Sequence, residues 1–377
     1  MNASAARKAF IYRFCTTQPG KAILTTIFVL HGPIRLAFLL LYFIPSYLRP
    51  HPQLTYHQAV GTALLKLWFS FASTMEFRTT KSLDPGPEKE RFVVMRPAKP
   101  ESYSGVASDS WVQPVPIGGM WYPKLYEPDI DTDKKIVLHF HGGAYVLGGV
   151  RPMEGGWGPE VLAKSIHGLV LCPQFRLPSE HRGRFPAALQ DSITAYQYLL
   201  SQGIPSSRIV ISGDSAGGNL ALALLRYLGE NGSSLPLPSA ALLWSPWLDL
   251  AADPYTVESH RNRKTDYLTP VLIEWGLRAY RPSFLEATHP YLTPLNNPFA
   301  TKVPVFMQYG TAEVLLDEQR AFCSQMGEIA GNSLERLEIP CAPHDTFLGG
   351  QILGFEKEAR DAAERANKFL VGQDTRP

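Results

Sequence analysis

Residues 209–219 read Ile-Val-Ile-Ser-Gly-Asp-Ser-Ala-Gly-Gly-Asn. A short apolar run leads into Gly213-x-Ser215-x-Gly217, and the residues that follow, about 216–230, have helical spacing. Strand, elbow and helix coincide, which is the setting a nucleophilic serine needs. The tight turn holds the serine in a strained backbone conformation, projects its hydroxyl above the sheet, and puts a helix N-terminus behind developing negative charge. The chemistry is attack of Ser215 on a carbonyl carbon, with an acyl-enzyme to follow. Such an attack needs donors for the oxyanion. Residues 139–145 read His-Phe-His-Gly-Gly-Ala-Tyr, directly after the apolar run 136–140. Consecutive glycines let backbone N–H groups converge, so Gly142 and Gly143 are expected to supply two donors and Ala216 the third. His141 is expected to brace this loop rather than to act as a base.

Both loops must sit at one end of a sheet, and the chain supplies its strands. The candidates are 136–140, 169–172, 209–211, 241–244, 303–307 and 334–339, separated by helical stretches near 186–201, 216–230 and 316–330, with a last helix near 353–371. Alternating strands and helices predict an α/β fold: a mostly parallel central sheet with helices on both faces. Residues 251–295 break the rhythm with Trp, Tyr and Pro and are expected to form an inserted helical cap. Residues 63–75 have helical apolar spacing, and Asp84-Pro85-Gly86-Pro87 ends that stretch. The division expected is an N-terminal anchor, cap and linker region over 1–105 and a catalytic domain over 106–377.

The chain has 377 residues, 45% hydrophobic and 19% charged, which is a globular composition. Cys15, Cys172, Cys323 and Cys341 include no CxxC pair, arguing against a zinc or dithiol site. A net charge of +2 argues against nucleic acid as a partner. The charge is uneven, however. Residues 1–75 contain no acid and seven cations, Arg7, Lys8, Arg13, Lys21, Arg35, Arg49 and Lys66, so the remainder carries −5. Within this basic region, residues 22–48 hold one full charge, Arg35, and are long enough to meet a membrane. Gly32, Pro33 and Arg35 interrupt the segment near its middle. It therefore reads as a spanning or re-entrant anchor, as two short interfacial helices, or as a cap over an active-site mouth. No small-x-small site follows it, so a cleaved signal peptide is not expected. Membrane association, for example at the endoplasmic reticulum, is the location expected, with the cytoplasm as the alternative.

Several blocks together resemble the hormone-sensitive-lipase-like branch of the α/β-hydrolases, over about residues 110–370. The His-Phe-His-Gly-Gly-Ala-Tyr block looks like the family's HGGG, with Ala144 in place of its third glycine. Gly213–Asn219 matches the family's elbow. Phe175-Arg176-Leu177 with Glu180, Phe185-Pro186-Ala187-Ala188, and Ser245-Pro246-Trp247-Leu248-Asp249 are similar to further family segments. The basic N-terminus with Tyr47–Pro52 looks most like fungal members, some of which act in secondary-metabolite or toxin pathways. The resemblance implies the order serine, acid, histidine. Of the ten histidines only His344 lies well after the last strand candidate, and the family places its general base there. Glu313, after the strand near 303–309, falls on the family's catalytic-acid position, and Asp317 on its helix-opening Asp; Asp317 otherwise reads as a helix N-cap. Asp214, Asp249 and Asp266 are expected to be structural. Tyr145 and Trp247 are candidates to line a substrate pocket.

The reading is a serine hydrolase of apolar or secondary-metabolite-type carboxylic esters. Ser215, His344 and Glu313 form its triad, and it needs neither metal nor cofactor. An acyltransferase or lactone-forming enzyme with the same triad is the alternative, and a non-catalytic ligand receptor is a remote one. Asn231-Gly232-Ser233 is a glycosylation acceptor sequence if the body is lumenal.

Overall fold

A computed structural model describes residues 3–78, 81–178, 182–230 and 235–374. Ser179, Glu180, His181 and the Asn231-Gly232-Ser233 acceptor lie outside the described residues. Eight strands form one sheet in the order β1-β2-β4-β3-β5-β6-β7-β8. They are β1 (Phe92–Met95), β2 (Ile117–Tyr122), β3 (Ile136–Phe140), β4 (Leu169–Gln174), β5 (Ile209–Asp214), β6 (Ala240–Trp244), β7 (Val305–Gly310) and β8 (Leu334–Ile339). From β4 to β8 neighbouring strands run parallel, while β2 is antiparallel to both β1 and β4. Strands β3, β5, β6 and β7 are buried along their whole length. A strand covered on both faces has no polar side to alternate with, which is why these strands read as mostly apolar runs without alternation.

β1 and β2 escape a pattern reading. β2 begins Ile-Gly-Gly, which reads as a turn. A Cβ on Gly118 would lie 2.3 Å from the Phe92 ring, so the glycine lets β1 lay its aromatic side chain across β2. The sheet therefore begins upstream of residue 106.

Helices α1 (Ala3–Thr16), α2 (Gly20–Tyr42) and α3 (Tyr56–Thr74) precede the sheet. On one face of the sheet, α5 (Ala187–Ser201) packs on α6 (Ala216–Gly229); elsewhere α4 (Trp157–Ser165) packs on α10 (Glu356–Asp374). Helices α7 (Pro270–Tyr280), α8 (Leu316–Gly327) and α9 (Thr346–Leu353) lie between α6 and α10 along the chain. The break expected at Gly32-Pro33 does not occur: α2 continues through Pro33 to Tyr42. Proline removes one i→i−4 hydrogen bond, and here that loss does not end the helix.

The loop after β4 is pinned by a buried ion pair. The Arg176 guanidinium reaches Asp191 of α5 through Nε at 3.0 Å and Nη2 at 2.8 Å, and its Nη1 donates to the Gln113 carbonyl at 2.8 Å. Removing one partner strands the other charge in the core. Arg176→Met is expected to lower unfolding stability by about 3–5 kcal/mol, read as a drop in the urea midpoint at unchanged m-value. A change below about 1 kcal/mol, the range of exposed pairs, would contradict this.

Candidate active site

Ser215, Glu313 and His344 follow β5, β7 and β8, so the parallel sheet brings all three to its C-terminal edge. Ser215 has φ 50° and ψ −117°, the strained turn expected at its position, and it precedes α6 directly. Its Oγ lies 2.8 Å from His344 Nε2, and His344 Nδ1 lies 3.0 Å from Glu313 Oε2. A carboxylate accepts only, so the imidazole proton belongs on Nδ1 and Nε2 is left to accept from Ser215. All three residues are buried. Burial alone would lower the His344 pKa, but the hydrogen bond and charge of Glu313, with Asp266 and Asp345 nearby, outweigh it and raise it to about 9.

Glu313 is held from every side. Its Oε1 accepts from the Gly310 N–H and the Ser245 hydroxyl, and its Oε2 accepts from Gln319 Nε2 at 2.9 Å. Asp266 spans the two loops: its Oδ2 accepts from the Val314 N–H at 2.7 Å and its Oδ1 from the His344 N–H at 3.3 Å. Sequence reasoning missed the positions of Ser245 and Gln319. The signal available for Ser245 was its place at the end of β6, between the strands that carry Ser215 and Glu313. Asp317 caps nothing; it sits in the first turn of α8 and pairs with Arg261.

The glycine loop requires a correction. Gly142 N–H donates to Asp214 Oδ2 at 2.7 Å and so is turned away from the carbonyl site. The expectation for Gly142 fails because β3 and β5 are neighbours, which sets the loop amide directly against the Asp214 side chain. Among the described residues the N–H groups of Gly143, Ala144 and Ala216 donate to nothing. The backbone runs through φ 107° at Gly143 and 53° at Ala144. Only the first requires glycine outright, since a Cβ there would lie 2.4 Å from the Leu147 carbonyl oxygen. His141 braces the loop as expected: its Nδ1 lies 2.7 Å from the Gly142 oxygen, its ring stacks on Phe175, and burial with the nearby Lys81 charge lowers its pKa to about 3. Asp214 Oδ1 lies 3.0 Å from His139 Nε2, and burial raises the Asp214 carboxyl to about 6.

Ser215 and His344 open into a cavity of about 340 Å³. Trp68 and Phe69 of α3, Leu272 and Ile273 of α7, and Trp247 and Tyr267 form its apolar walls. Trp247 is thus where the sequence placed it. Tyr145 is not: its hydroxyl donates to Asn219 Oδ1 at 2.7 Å, its ring stacks on Tyr280 at 3.6 Å, and it does not line the cavity. No residue of 22–48 lines it either, among those described; the cover comes from α3 and α7.

A family model described as alpha/beta hydrolase fold matches residues 137–348. The chain is 35% identical over 241 residues to an acetyl-hydrolase of Streptomyces hygroscopicus, covering 63% of this chain and 76% of that protein. It is 34% identical over 190 residues to an esterase of Acinetobacter venetianus, covering 50% and 60%. Among solved structures, an esterase from the bacterial hormone-sensitive lipase family superposes with a TM-score of 0.57 at 24% identity, covering 90% of this chain and 96% of that one.

Proposed function

We propose that this chain, which belongs to the alpha/beta hydrolase fold family and to its hormone-sensitive-lipase-like esterases, cleaves carboxylic esters through Ser215, His344 and Glu313. That it is a carboxylic ester hydrolase follows from the family and its relatives; the assignment of roles rests on the hydrogen-bonded run from Ser215 Oγ through His344 to Glu313, which ends in an apolar cavity.

Ser215 Oγ attacks the ester carbonyl while His344 Nε2 takes its proton. The carbonyl oxygen becomes an oxyanion held by the N–H groups of Gly143, Ala144 and Ala216, each donor worth about 3–4 kcal/mol in the transition state. Glu313 holds the His344 tautomer and offsets the imidazolium charge. His344 then protonates the departing alkoxide. In the second half a water gives its proton to His344, attacks the acyl-enzyme, and Ser215 leaves. The walls of Trp, Phe, Leu and Ile suit an ester with an apolar acyl or alcohol part, including esters of the secondary-metabolite type. Transfer of the acyl group to an alcohol would use the same groups, and product analysis with a competing alcohol separates it from hydrolysis. We also assign membrane attachment to the apolar segment 22–48, on the exposure of α2.

The pH dependence tests the triad. The working base is neutral His344, and its pKa is raised to about 9 from an ordinary value of 6.5. kcat/KM for p-nitrophenyl butyrate is therefore expected to rise with pH and level off only on the alkaline side. The sign for stability is opposite. The charged pair with Glu313 stabilises the fold fully below about pH 6.5, and that contribution is lost as pH rises through about 9. A kcat/KM profile already flat from about pH 7 upward would contradict the assignment of His344 as a base so tightly paired.

A further inference from the structure

We propose that α2 lies flat in the surface of an anionic phospholipid bilayer, and that the catalytic cavity opens into that surface, so that ester substrates enter from the lipid. This goes beyond attachment as such and, for the route of the substrate, rests on the ester-hydrolase reading above.

The two faces of α2 differ in kind. Its charged side chains are Lys21 and Arg35. Arg35 and His31 line a groove that α2 forms with Ser70 and Thr74 of α3, and Lys21 Nζ reaches the Glu76 carbonyl. The outward face carries Ile23, Val29, Leu30, Ile34 and Leu41, each between 45% and 69% exposed. An uncharged face of that extent over 23 residues, about 35 Å of helix, needs an apolar cover.

A spanning arrangement conflicts with how α2 is docked. It is tied to α3 in its first half and near its C-terminal end: the Phe28 ring stacks on Phe71 at 3.9 Å, and the Tyr56 hydroxyl donates to the Leu40 carbonyl at 2.7 Å. Helix α3 in turn packs on α7 and α9 of the catalytic body. Crossing a bilayer would drag α3, with Lys66 and its polar neighbours, into hydrocarbon. Lying in the interface leaves every one of these contacts intact.

The seam between α2 and α3 also leads to the cavity. From Phe28 the rings run to Phe71, then to Trp68 at 6.1 Å and on to Phe77 at 6.3 Å. Trp68 and Phe77 are each more than 40% exposed, and both line the catalytic cavity. The mouth of the active site therefore lies beside the seam between α2 and α3, with the exposed Trp68 and Phe77 at its rim.

Charge selects the lipid. The first 75 residues carry seven cations and no acid. At the C-terminal end of α2, a second groove places the exposed Arg263 and Lys264 beside Tyr42, Tyr47 and Arg49, with Glu258 as its carboxylate. Tyrosines with cations at the end of an apolar helix are the side chains that settle at head-group level. Leu268 lines both this groove and the catalytic cavity, so the two openings adjoin.

The test uses the full chain and vesicles of phosphatidylcholine with or without phosphatidylserine. Sedimentation is expected to show binding that increases with phosphatidylserine. Ile34→Glu with Leu41→Glu should weaken binding about tenfold or more. Turnover of water-soluble p-nitrophenyl acetate should stay unchanged, which also shows that the variant folds, while hydrolysis of vesicle-borne p-nitrophenyl palmitate falls with binding. Arg263→Glu with Lys264→Glu should remove the phosphatidylserine preference. Epitope tags at the two ends of the chain, expressed into microsomes, should both be cleaved by added protease. Undiminished binding by the Ile34/Leu41 variant, absence of binding by the native chain, or protection of one tag only would overturn the proposal. Ser215→Ala should bind vesicles like the native chain, so a failure of the catalytic reading leaves this one standing and is told apart from it.

Discussion

Ser215→Ala is expected to lower kcat for p-nitrophenyl ester hydrolysis by about 10⁶ while leaving the protein folded. The substitution removes only Oγ, and the alanine methyl occupies space that the serine already filled. The strained turn is unaffected, because the elbow holds φ at 50° whichever residue sits there. What remains is stabilisation of a carbonyl attacked by water, through the N–H groups of Gly143, Ala144 and Ala216; such residual catalysis is worth about 10³ over the uncatalysed reaction. Because Ser215 and His344 act as one unit, adding His344→Ala to Ser215→Ala should cost almost nothing more. A second loss comparable to the first would mean that His344 works on something other than the Ser215 proton.

The next largest effect is expected from Glu313→Gln, about 10⁴ in kcat. Glu313 is fully buried, and its two oxygens accept from four donors: the His344 ring, Gln319, Ser245 and the Gly310 N–H. An amide has one acceptor oxygen instead of two. With Gly310 and Ser245 keeping that oxygen, the amide N–H₂ faces His344 Nδ1, which must then accept. The imidazole proton moves to Nε2, the atom that should receive the serine proton, and the base is in the wrong tautomer. The pH profile supplies a second readout that a merely structural defect would not move. The Glu313 hydrogen bond and charge raise the His344 pKa, so in the variant the rise in kcat/KM should shift toward lower pH even as its plateau drops. A loss of less than about tenfold with an unshifted profile would reassign the acid.

Much of this site is legible in the sequence, for a physical reason. A nucleophile elbow needs a strand, two glycines and a helix in immediate succession, so Ser215 announces itself locally. Glu313 stands on the loop after β7, a buried and mostly apolar strand, whereas His344 follows β8, a half-buried strand that carries Glu and Arg, and is picked out by its place after the last strand. What escapes the sequence is contact between strand ends. Gly142 looks like a donor until Asp214, brought alongside by the pairing of β3 with β5, takes its N–H. Tyr145 looks like a pocket residue until Asn219 and Tyr280 claim it for the core. The support of Glu313 by Ser245 and the bridge made by Asp266 join segments dozens of residues apart with no shared local pattern, and Gln319, though only six residues away, lies on the following helix where no motif marks it. In the fold, β2 is hidden by paired glycines, of which Gly118 admits Phe92, and the continuity of α2 by a proline that does not end it.

The most direct measurement of the central claim is covalent labelling with a fluorophosphonate, followed by peptide mass spectrometry. The phosphorus is attacked by an activated serine with loss of fluoride, and the adduct stays on the attacking oxygen. The expected result is one adduct, on Ser215, in the peptide containing Gly213-Asp214-Ser215-Ala216-Gly217. Its formation should be abolished in Ser215→Ala and slowed in Glu313→Gln. An unlabelled Ser215 in folded protein that still hydrolyses p-nitrophenyl esters, or an adduct on another residue, would contradict the account.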